Sequence, residues 1–217
     1  MYELIVFDLD GTLLDTLDDL WAAVNVALDK YGLPRRSRDE VRAFVGNGIV
    51  KLMQRAIGRE DFPYFDGALT AFKEYYGAHC ADCTQPYAGI ISLLHQLTAK
   101  NLRVAVVSNK ADFAVKLLAK EYFGGILCAA VGENEAAGIR KKPAPDSLLT
   151  VMNQFHVTPK NTVYIGDSEV DIQTAKNAGV DCISVTWGFK DKPFLQASGA
   201  STFADTPRQL LSLLLGE

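Results

Sequence analysis

Five short apolar runs rich in branched side chains recur along this chain, and a helical pattern follows each of them. They comprise residues 3–8, 103–108, 126–131, 162–167 and 181–186. Near-continuous hydrophobicity, rather than alternation, is typical of strands covered on both faces. Helical crossovers between such strands are right-handed and place the strands side by side and parallel. The sequence therefore predicts an α/β fold with a doubly wound parallel sheet.

A long segment without a comparable strand signal separates the first run from the second. Residues 9–102 are far more than one crossover needs. Apolar residues spaced as on one helical face predict a helix at 17–31, and the pattern predicts further helices at 38–57 and 65–80. We therefore expect a helical cap domain at residues 15–83, inserted into a core of residues 1–14 and 84–217. Helices of the core are expected at 89–100, 112–122, 145–155, 170–178 and 207–215.

Composition limits the kinds of partner. The chain has 217 residues, and its 22 Lys and Arg are dispersed among 26 Asp and Glu, for a net charge of −4. This balance argues against a nucleic-acid groove or an anionic membrane surface. No apolar stretch approaches the ~20 residues of a membrane span, and the first residues lack the features of a signal peptide. We expect a soluble, cytoplasmic protein that acts on a small molecule; the sequence carries no indication of oligomeric state.

The four cysteines are too few to indicate a disulfide scaffold. Cys80 and Cys83 form a C-x-x-C pair preceded by His79. A redox motif requires a strand-to-helix setting, and a zinc site requires a fourth ligand. The favoured interpretation is therefore a pair of helix-end cysteines without a special role.

Polar side chains follow the apolar runs at the points where the predicted strands end. In open parallel sheets, ligands bind outside the carboxyl ends of the strands. Several carboxylates gathered there repel each other and need a compensating hard cation, for which magnesium is suited. A hydroxyl, a backbone N–H and a lysine on the opposite side would hold an anion. The acidic group comprises Asp8, Asp10, Asp167 and Asp171, and the anion-binding group comprises Ser108, Asn109 and Lys142.

A single aspartate after an apolar run is more often a helix N-cap or a turn residue, and a single lysine is more often a solvated surface residue. The ordered coincidence of four such signals favours a functional site. These four motifs also resemble those of the haloacid dehalogenase-like superfamily, and they span almost the whole chain. The motifs are Asp8-Leu9-Asp10-Gly11-Thr12-Leu13, Val107-Ser108-Asn109-Lys110, Lys142-Pro143-Ala144-Pro145-Asp146 and Gly166-Asp167-Ser168-Glu169-Val170-Asp171.

Within that superfamily the chain is most similar to the phosphoglycolate phosphatase-like branch, which carries a helical cap between its first two motifs. The resemblance implies a Rossmann-like core with an inserted α-helical cap domain, and magnesium-dependent hydrolysis of a small, 2-phosphoglycolate-like monoester. Asp8 would form an aspartyl-phosphate, and Asp10 would protonate the leaving oxygen and then activate water. Asp8, Asp167 and the Asp10 carbonyl would hold magnesium, with Asp171 supporting its waters. The phosphate would be held by Ser108, Asn109 and Lys142.

The cap is expected to read the leaving group. Gly46, Asn47 and Gly48 resemble the substrate-facing loop of the same branch, although a turn between helices explains the glycines equally well. Arg42 and Lys51 are nearby candidates for an anionic leaving group.

Several other functions remain open. A sugar-phosphate mutase, a pyrophosphatase or a nucleotidase of the superfamily shares these motifs. A dehalogenase is disfavoured because the chain keeps the acid Asp10 and the metal-site aspartates. A non-catalytic scaffold is disfavoured because every motif position carries a chemically competent residue.

Overall fold

The computed structural model describes residues 2–135 and 138–216. Two β-sheets lie within this part of the chain. A small antiparallel sheet pairs β2 (Leu14–Asp15) with β3 (Gln85–Pro86). The large sheet contains β1 (Leu4–Phe7), β4 (Arg103–Ala111), β5 (Ala129–Glu133), β6 (Thr162–Gly166), β7 (Asp181–Val185) and β8 (Phe203–Ala204). Its order is β5-β4-β1-β6-β7-β8, and every neighbouring pair is parallel.

Strand β1 is the centre of this sheet and is fully buried on both faces. Leu4 and Val6 pack into one hydrophobic cluster, whereas Ile5 and Phe7 pack into the other. Helices α7 (Asp146–Gln154) and α8 (Glu169–Ala178) cover the first face. The second face is covered by α5 (Ile90–Ala99), α6 (Asp112–Phe123) and α10 (Pro207–Leu215). The prediction of a doubly wound parallel sheet is confirmed.

Four helices lie between the two short strands of the antiparallel sheet. They are α1 (Leu17–Lys30), α2 (Arg38–Phe44), α3 (Gly48–Ile57) and α4 (Phe65–His79), and α1 packs against α4. The single helix expected at 38–57 is two helices, because Gly46 and Gly48 have φ angles of +124° and +79°. These angles are outside the helical region, although glycine adopts them readily. A helical insertion is therefore present, while its division from the core at residues 15 and 84 stays a prediction.

The other predicted elements differ from the structure mainly at their ends. Strand β4 continues three residues beyond its predicted end at Ser108, so that Asn109 to Ala111 also belong to the strand. Strand β8 and the short helix α9 (Lys192–Ala197) were not predicted, because two and six residues are too short to carry a pattern. Cys80 follows α4 directly, and it and Cys83 are free thiols. Among the described residues, no helix has both the length and the apolar character that a membrane crossing requires.

Candidate active site

The candidate site lies at the carboxyl ends of β1, β4 and β6. Strand β1 lies between the other two: the chain forms β4 and β5 on one side of β1 and then crosses over to form β6 on the other. A crevice forms at such a switch point in an open α/β sheet. Asp8 directly follows β1, Ser108 lies near the end of β4, and Asp167 directly follows β6. The topology thus brings the predicted acidic and hydroxyl residues to one edge of the sheet.

Three buried carboxylates form the base of the site. Each of Asp8, Asp167 and Asp171 offers an oxygen, and these oxygens lie within 4.8 Å of one another. Asp171 is in the first turn of α8, where its Oδ2 accepts hydrogen bonds from the Ser168 backbone N–H and hydroxyl. Asp167 Oδ2 accepts a hydrogen bond of 2.6 Å from the backbone N–H of Phe189. The carboxylates are therefore held in place by the loops that follow β6 and β7.

Two glycines allow the backbone to approach Asp167 closely. A Cβ atom at Gly11 would lie 2.3 Å from Asp167 Oδ2, and one at Gly188 would lie 2.4 Å from the same atom. Gly11 also has a φ angle of +81°, which side chains other than glycine rarely adopt. Any larger residue at either position would displace the Asp167 carboxylate or the backbone that faces it.

Lys142 connects two of the carboxylates. Its Nζ lies 2.7 Å from Asp171 Oδ1, 2.9 Å from Asp8 Oδ1 and 3.0 Å from Tyr164 Oη. The Tyr164 hydroxyl in turn donates to the Val107 carbonyl oxygen at 2.7 Å. Lys142 is 5% exposed, so that its ammonium is fixed beside Asp8 and is not a mobile surface charge.

The buried carboxylates carry a strong electrostatic cost. Burial raises the pKa of Asp8 to about 6, although Lys142 acts in the opposite direction. Burial, followed by the neighbouring Asp171 and Asp8, raises the pKa of Asp167 well above its ordinary value. One ammonium therefore does not balance three carboxylates, and a further cation would stabilise their ionised forms.

The donor set of the site fits a hard divalent cation. Asp8 Oδ1 is buried and makes no hydrogen bond, because Lys142 approaches it without suitable geometry. Carboxylate oxygens of this kind are the ligands that such cations prefer. Asp171 is less free for direct ligation, since protein donors occupy both of its oxygens.

Asp10 lies apart from these three carboxylates. Its Oδ1 is 2.8 Å from the Nζ of Lys110, a buried lysine at the end of β4. Both residues line the same pocket as Asp8 and Ser108. Asp10 therefore shares the pocket with Asp8 and Asp167 but pairs with its own lysine.

Asn109 joins the core to the helical insertion. Its Nδ2 donates to the Lys142 carbonyl oxygen at 3.0 Å and to the Gly46 carbonyl oxygen at 3.2 Å. Gly46 and Gly48 line the pocket, whereas Asn47 directly precedes α3 and is not among the lining residues in the described part of the chain. The loop that sequence analysis singled out thus reaches the pocket through its two glycines.

Arg42 and Lys51, the two basic candidates from the insertion, are not among the described residues that line this pocket. The Arg42 guanidinium donates to the carbonyl oxygens of Gly188 and Phe189, at 2.8 and 3.0 Å. It therefore connects the insertion to the core loop that encloses Asp167. The Lys51 side chain is on the exposed face of α3. The upper wall of the pocket is instead mainly apolar, with Leu20, Val45, Ile49, Leu52, Phe72 and Phe113.

Comparison with known proteins agrees with this geometry. The model of the haloacid dehalogenase-like hydrolase family matches residues 5–185, which contain the carboxylates of the site together with Ser108 and Lys142. This chain belongs to that family. The superfamily resemblance and the prediction of an enzyme of the hydrolase class are confirmed.

Several members of the family are similar to this chain over most of their length. A phosphoglycolate phosphatase of Pseudomonas putida is 36% identical, over 96% of this chain and 78% of its own. An N-acetylmuramic acid 6-phosphate phosphatase of Pseudomonas aeruginosa is 31% identical, over 97% of this chain and 93% of its own length. The crystal structure of a predicted phosphoglycolate phosphatase from Lactobacillus delbrueckii subsp. bulgaricus superposes with a TM-score of 0.92 at 38% identity, over 100% and 99%.

Three residues that contribute to the site of this chain were not predicted from the sequence. Tyr164 lies within an apolar strand, where a tyrosine is indistinguishable from a core residue. Lys110 was noted at a strand end but received no role. Tyr76 lies on α4 and lines the pocket, although its sequence neighbours indicate only a helix face. The contacts of Lys110 and Tyr76 depend on the tertiary fold, and the sequence pattern contains no signal for them.

Proposed function

We propose that this chain is a phosphatase that hydrolyses a small phosphate monoester through an aspartyl-phosphate on Asp8. One observation carries the proposal: Asp8 is held at a crevice, 2.9 Å from the Lys142 ammonium and within 4.8 Å of carboxylate oxygens of the buried Asp167 and Asp171. A nucleophilic carboxylate needs such a setting, because negative charge develops on the phosphoryl oxygens during transfer.

The proposed reaction has two steps. In the first, a carboxylate oxygen of Asp8 forms a bond to phosphorus while the bond from phosphorus to the leaving oxygen breaks, and Asp10 donates a proton to that oxygen. In the second, Asp10 accepts a proton from water as the water attacks the aspartyl-phosphate, which releases inorganic phosphate. Lys142, the Ser108 hydroxyl and the Asn109 backbone N–H hold the phosphoryl oxygens.

The residues that would hold a metal follow from the same arrangement. We assign magnesium to the Asp8 and Asp167 side chains and the Asp10 backbone carbonyl, with Asp171 supporting its waters. A bound magnesium ion would neutralise charge on the phosphoryl group and orient it for attack. The buried Asp8 Oδ1, which accepts no hydrogen bond, supports this assignment.

The substrate is proposed to be a small phosphorylated metabolite. Relatives named for 2-phosphoglycolate and for N-acetylmuramic acid 6-phosphate support this class, although the two leaving groups differ greatly in size. A panel of phosphorylated metabolites compared by kcat/KM would order the candidates, since this ratio reports differential stabilisation of the transition state.

Substitution of Asp8→Asn tests the proposal. With magnesium and an aryl phosphate, the wild type should release free phosphate, and the variant should lose essentially all turnover because an amide is not a competent nucleophile. Asp29→Asn, on the exposed face of α1, is the matched control and should keep wild-type activity. Circular dichroism should give the same spectrum for all three proteins. Near wild-type hydrolysis by Asp8→Asn would overturn the assignment.

A further inference from the structure

Lys110 is a buried charge beside Asp10 that the proposed reaction does not yet use. The residue is 5% exposed, and its Nζ is 2.8 Å from Asp10 Oδ1. Burial of an ammonium group is costly unless partners replace its water. The ammonium that contacts Asp8 is that of Lys142, whereas Lys110 contacts Asp10. Its position indicates a role at Asp10.

The second partner of Lys110 comes from the helical insertion. Lys110 Nζ donates a short hydrogen bond to Tyr76 Oη and lies 4.7 Å from the centroid of the Tyr76 ring. Tyr76 is 4% exposed and stacks on Phe72, with 5.4 Å between ring centroids. The tyrosine is thus rigidly packed on α4, and its hydroxyl faces the core strand β4. A continuous chain of contacts connects α4 to the carboxylate of Asp10.

We propose that Lys110 is a positioning residue for Asp10, and that Tyr76 completes this arrangement from the helical insertion. The inference rests on the proposed function, in which Asp10 exchanges a proton with the leaving oxygen. Proton transfer requires the carboxylate within hydrogen-bond reach of that oxygen, and small misplacements reduce the rate strongly. Lys110 holds Oδ1 from one side and leaves the rest of the carboxylate to face the pocket. Displacement of α4 would remove the Tyr76 contact, so the position of Asp10 depends on the packing of the insertion against the core.

Leaving-group dependence distinguishes this role from a general effect on the fold. An alkyl oxygen requires a proton as it departs, whereas an aryl oxygen departs readily without one. The ratio kcat/KM contains only the steps up to departure of the leaving group, so later hydrolysis of the aspartyl-phosphate does not affect it. General acid catalysis contributes about 10²–10⁴-fold, so a mispositioned Asp10 should affect mainly the alkyl ester.

The experiment compares kcat/KM for an alkyl and an aryl phosphate in full-length variants. Lys110→Met should lower the value for the alkyl ester at least about tenfold more than the value for the aryl ester. Tyr76→Phe, which removes only the hydroxyl, should shift the ratio in the same direction by a smaller factor. Lys116→Met, which removes an exposed ammonium paired with Asp112 on α6, is the matched control and should leave the ratio unchanged.

Equal losses on both esters in Lys110→Met would overturn the role of Lys110, because a structural or substrate-binding residue does not discriminate by leaving group. An unchanged ratio in Tyr76→Phe would overturn the role of Tyr76. Circular dichroism and thermal unfolding report whether each variant is folded, and if Lys110→Met does not fold, Tyr76→Phe and Lys110→Gln decide the question. Failure of the proposed function itself is distinct, since the wild type would then hydrolyse neither ester.

Discussion

At the residue scale, the absence of two side chains is as important as the carboxylates themselves. The Asp167 carboxylate occupies space that a Cβ atom at Gly11 or Gly188 would fill. A Cβ at Gly188 would also lie 2.4 Å from the Gly11 carbonyl oxygen, so the collision involves backbone that cannot move independently. Asp167 is thereby aimed at the same point as Asp8.

Because Gly11 and Gly188 enclose the Asp167 carboxylate, we expect a side chain at Gly188 to weaken magnesium binding. Gly188→Ala should displace Asp167 and raise the magnesium concentration for half-maximal activity by about tenfold or more, as losses in the surroundings of metal ligands commonly do. Titration of magnesium into chelator-treated enzyme measures this value. The control is Gly125→Ala, at a glycine where a Cβ meets nothing within 4 Å. Identical magnesium curves for Gly188→Ala and the wild type would contradict the proposed role of Asp167.

A site residue could be predicted where the local sequence pattern marks it, and not where only contacts with distant residues do. Asp8 and Asp167 were found because each ends an apolar run, and the parallel topology then requires them to be neighbours. Tyr164 was not found, since the partner of its hydroxyl lies 57 positions away at Val107. A role for Lys110 required knowledge of its contact with Tyr76, 34 positions distant.

At the element scale, one buried carboxylate connects the two chain segments between the core and the helical insertion. Asp19 lies on α1 and is 4% exposed. Its Oδ1 accepts the Cys83 backbone N–H at 2.9 Å, and its Oδ2 accepts the backbone N–H and hydroxyl of Thr84, at 2.9 and 2.8 Å. The start of α1 is therefore fastened to the segment that returns to the core.

Removal of this carboxylate should destabilise the protein. Asp19→Ala leaves buried donors without an acceptor, and we expect a loss of about 2–3 kcal/mol in the free energy of unfolding. Urea denaturation measures this change. Asp29→Ala, at an exposed position on the same helix, should change stability by less than about 0.5 kcal/mol. Equal stabilities of the two variants would show that the Asp19 hydrogen bonds contribute little.

How accurately each helix or strand was predicted depended on its length and its burial. Strand β1 and helix α10 were predicted closely because both carry a clear pattern. The apolar spacing predicted one helix over 38–57, whereas Gly46 and Gly48 equally suggested a turn between helices; the positive φ angles of both glycines agree with the turn. Strand β8 depends on pairing with β7 and has almost no local signal.

At the scale of the whole molecule, the pocket lies between the sheet edge and the helical insertion. Polar connections cross from one to the other through Arg42, Asn109, Lys110 and Lys190. The groups proposed to hold phosphate come from the core, whereas the apolar lining comes mainly from the insertion.

In the proposed reaction Asp8 itself becomes phosphorylated. Trapping the aspartyl-phosphate is the direct test of this step. Asp10→Asn should still form the aspartyl-phosphate from an aryl phosphate, because the leaving group needs no proton, but should hydrolyse it slowly for lack of a base. Acid quenching, borohydride reduction and peptide mass spectrometry should then find homoserine in place of Asp8 in this variant. An unmodified Asp8 in folded Asp10→Asn, under conditions in which the wild type turns over, would contradict the account.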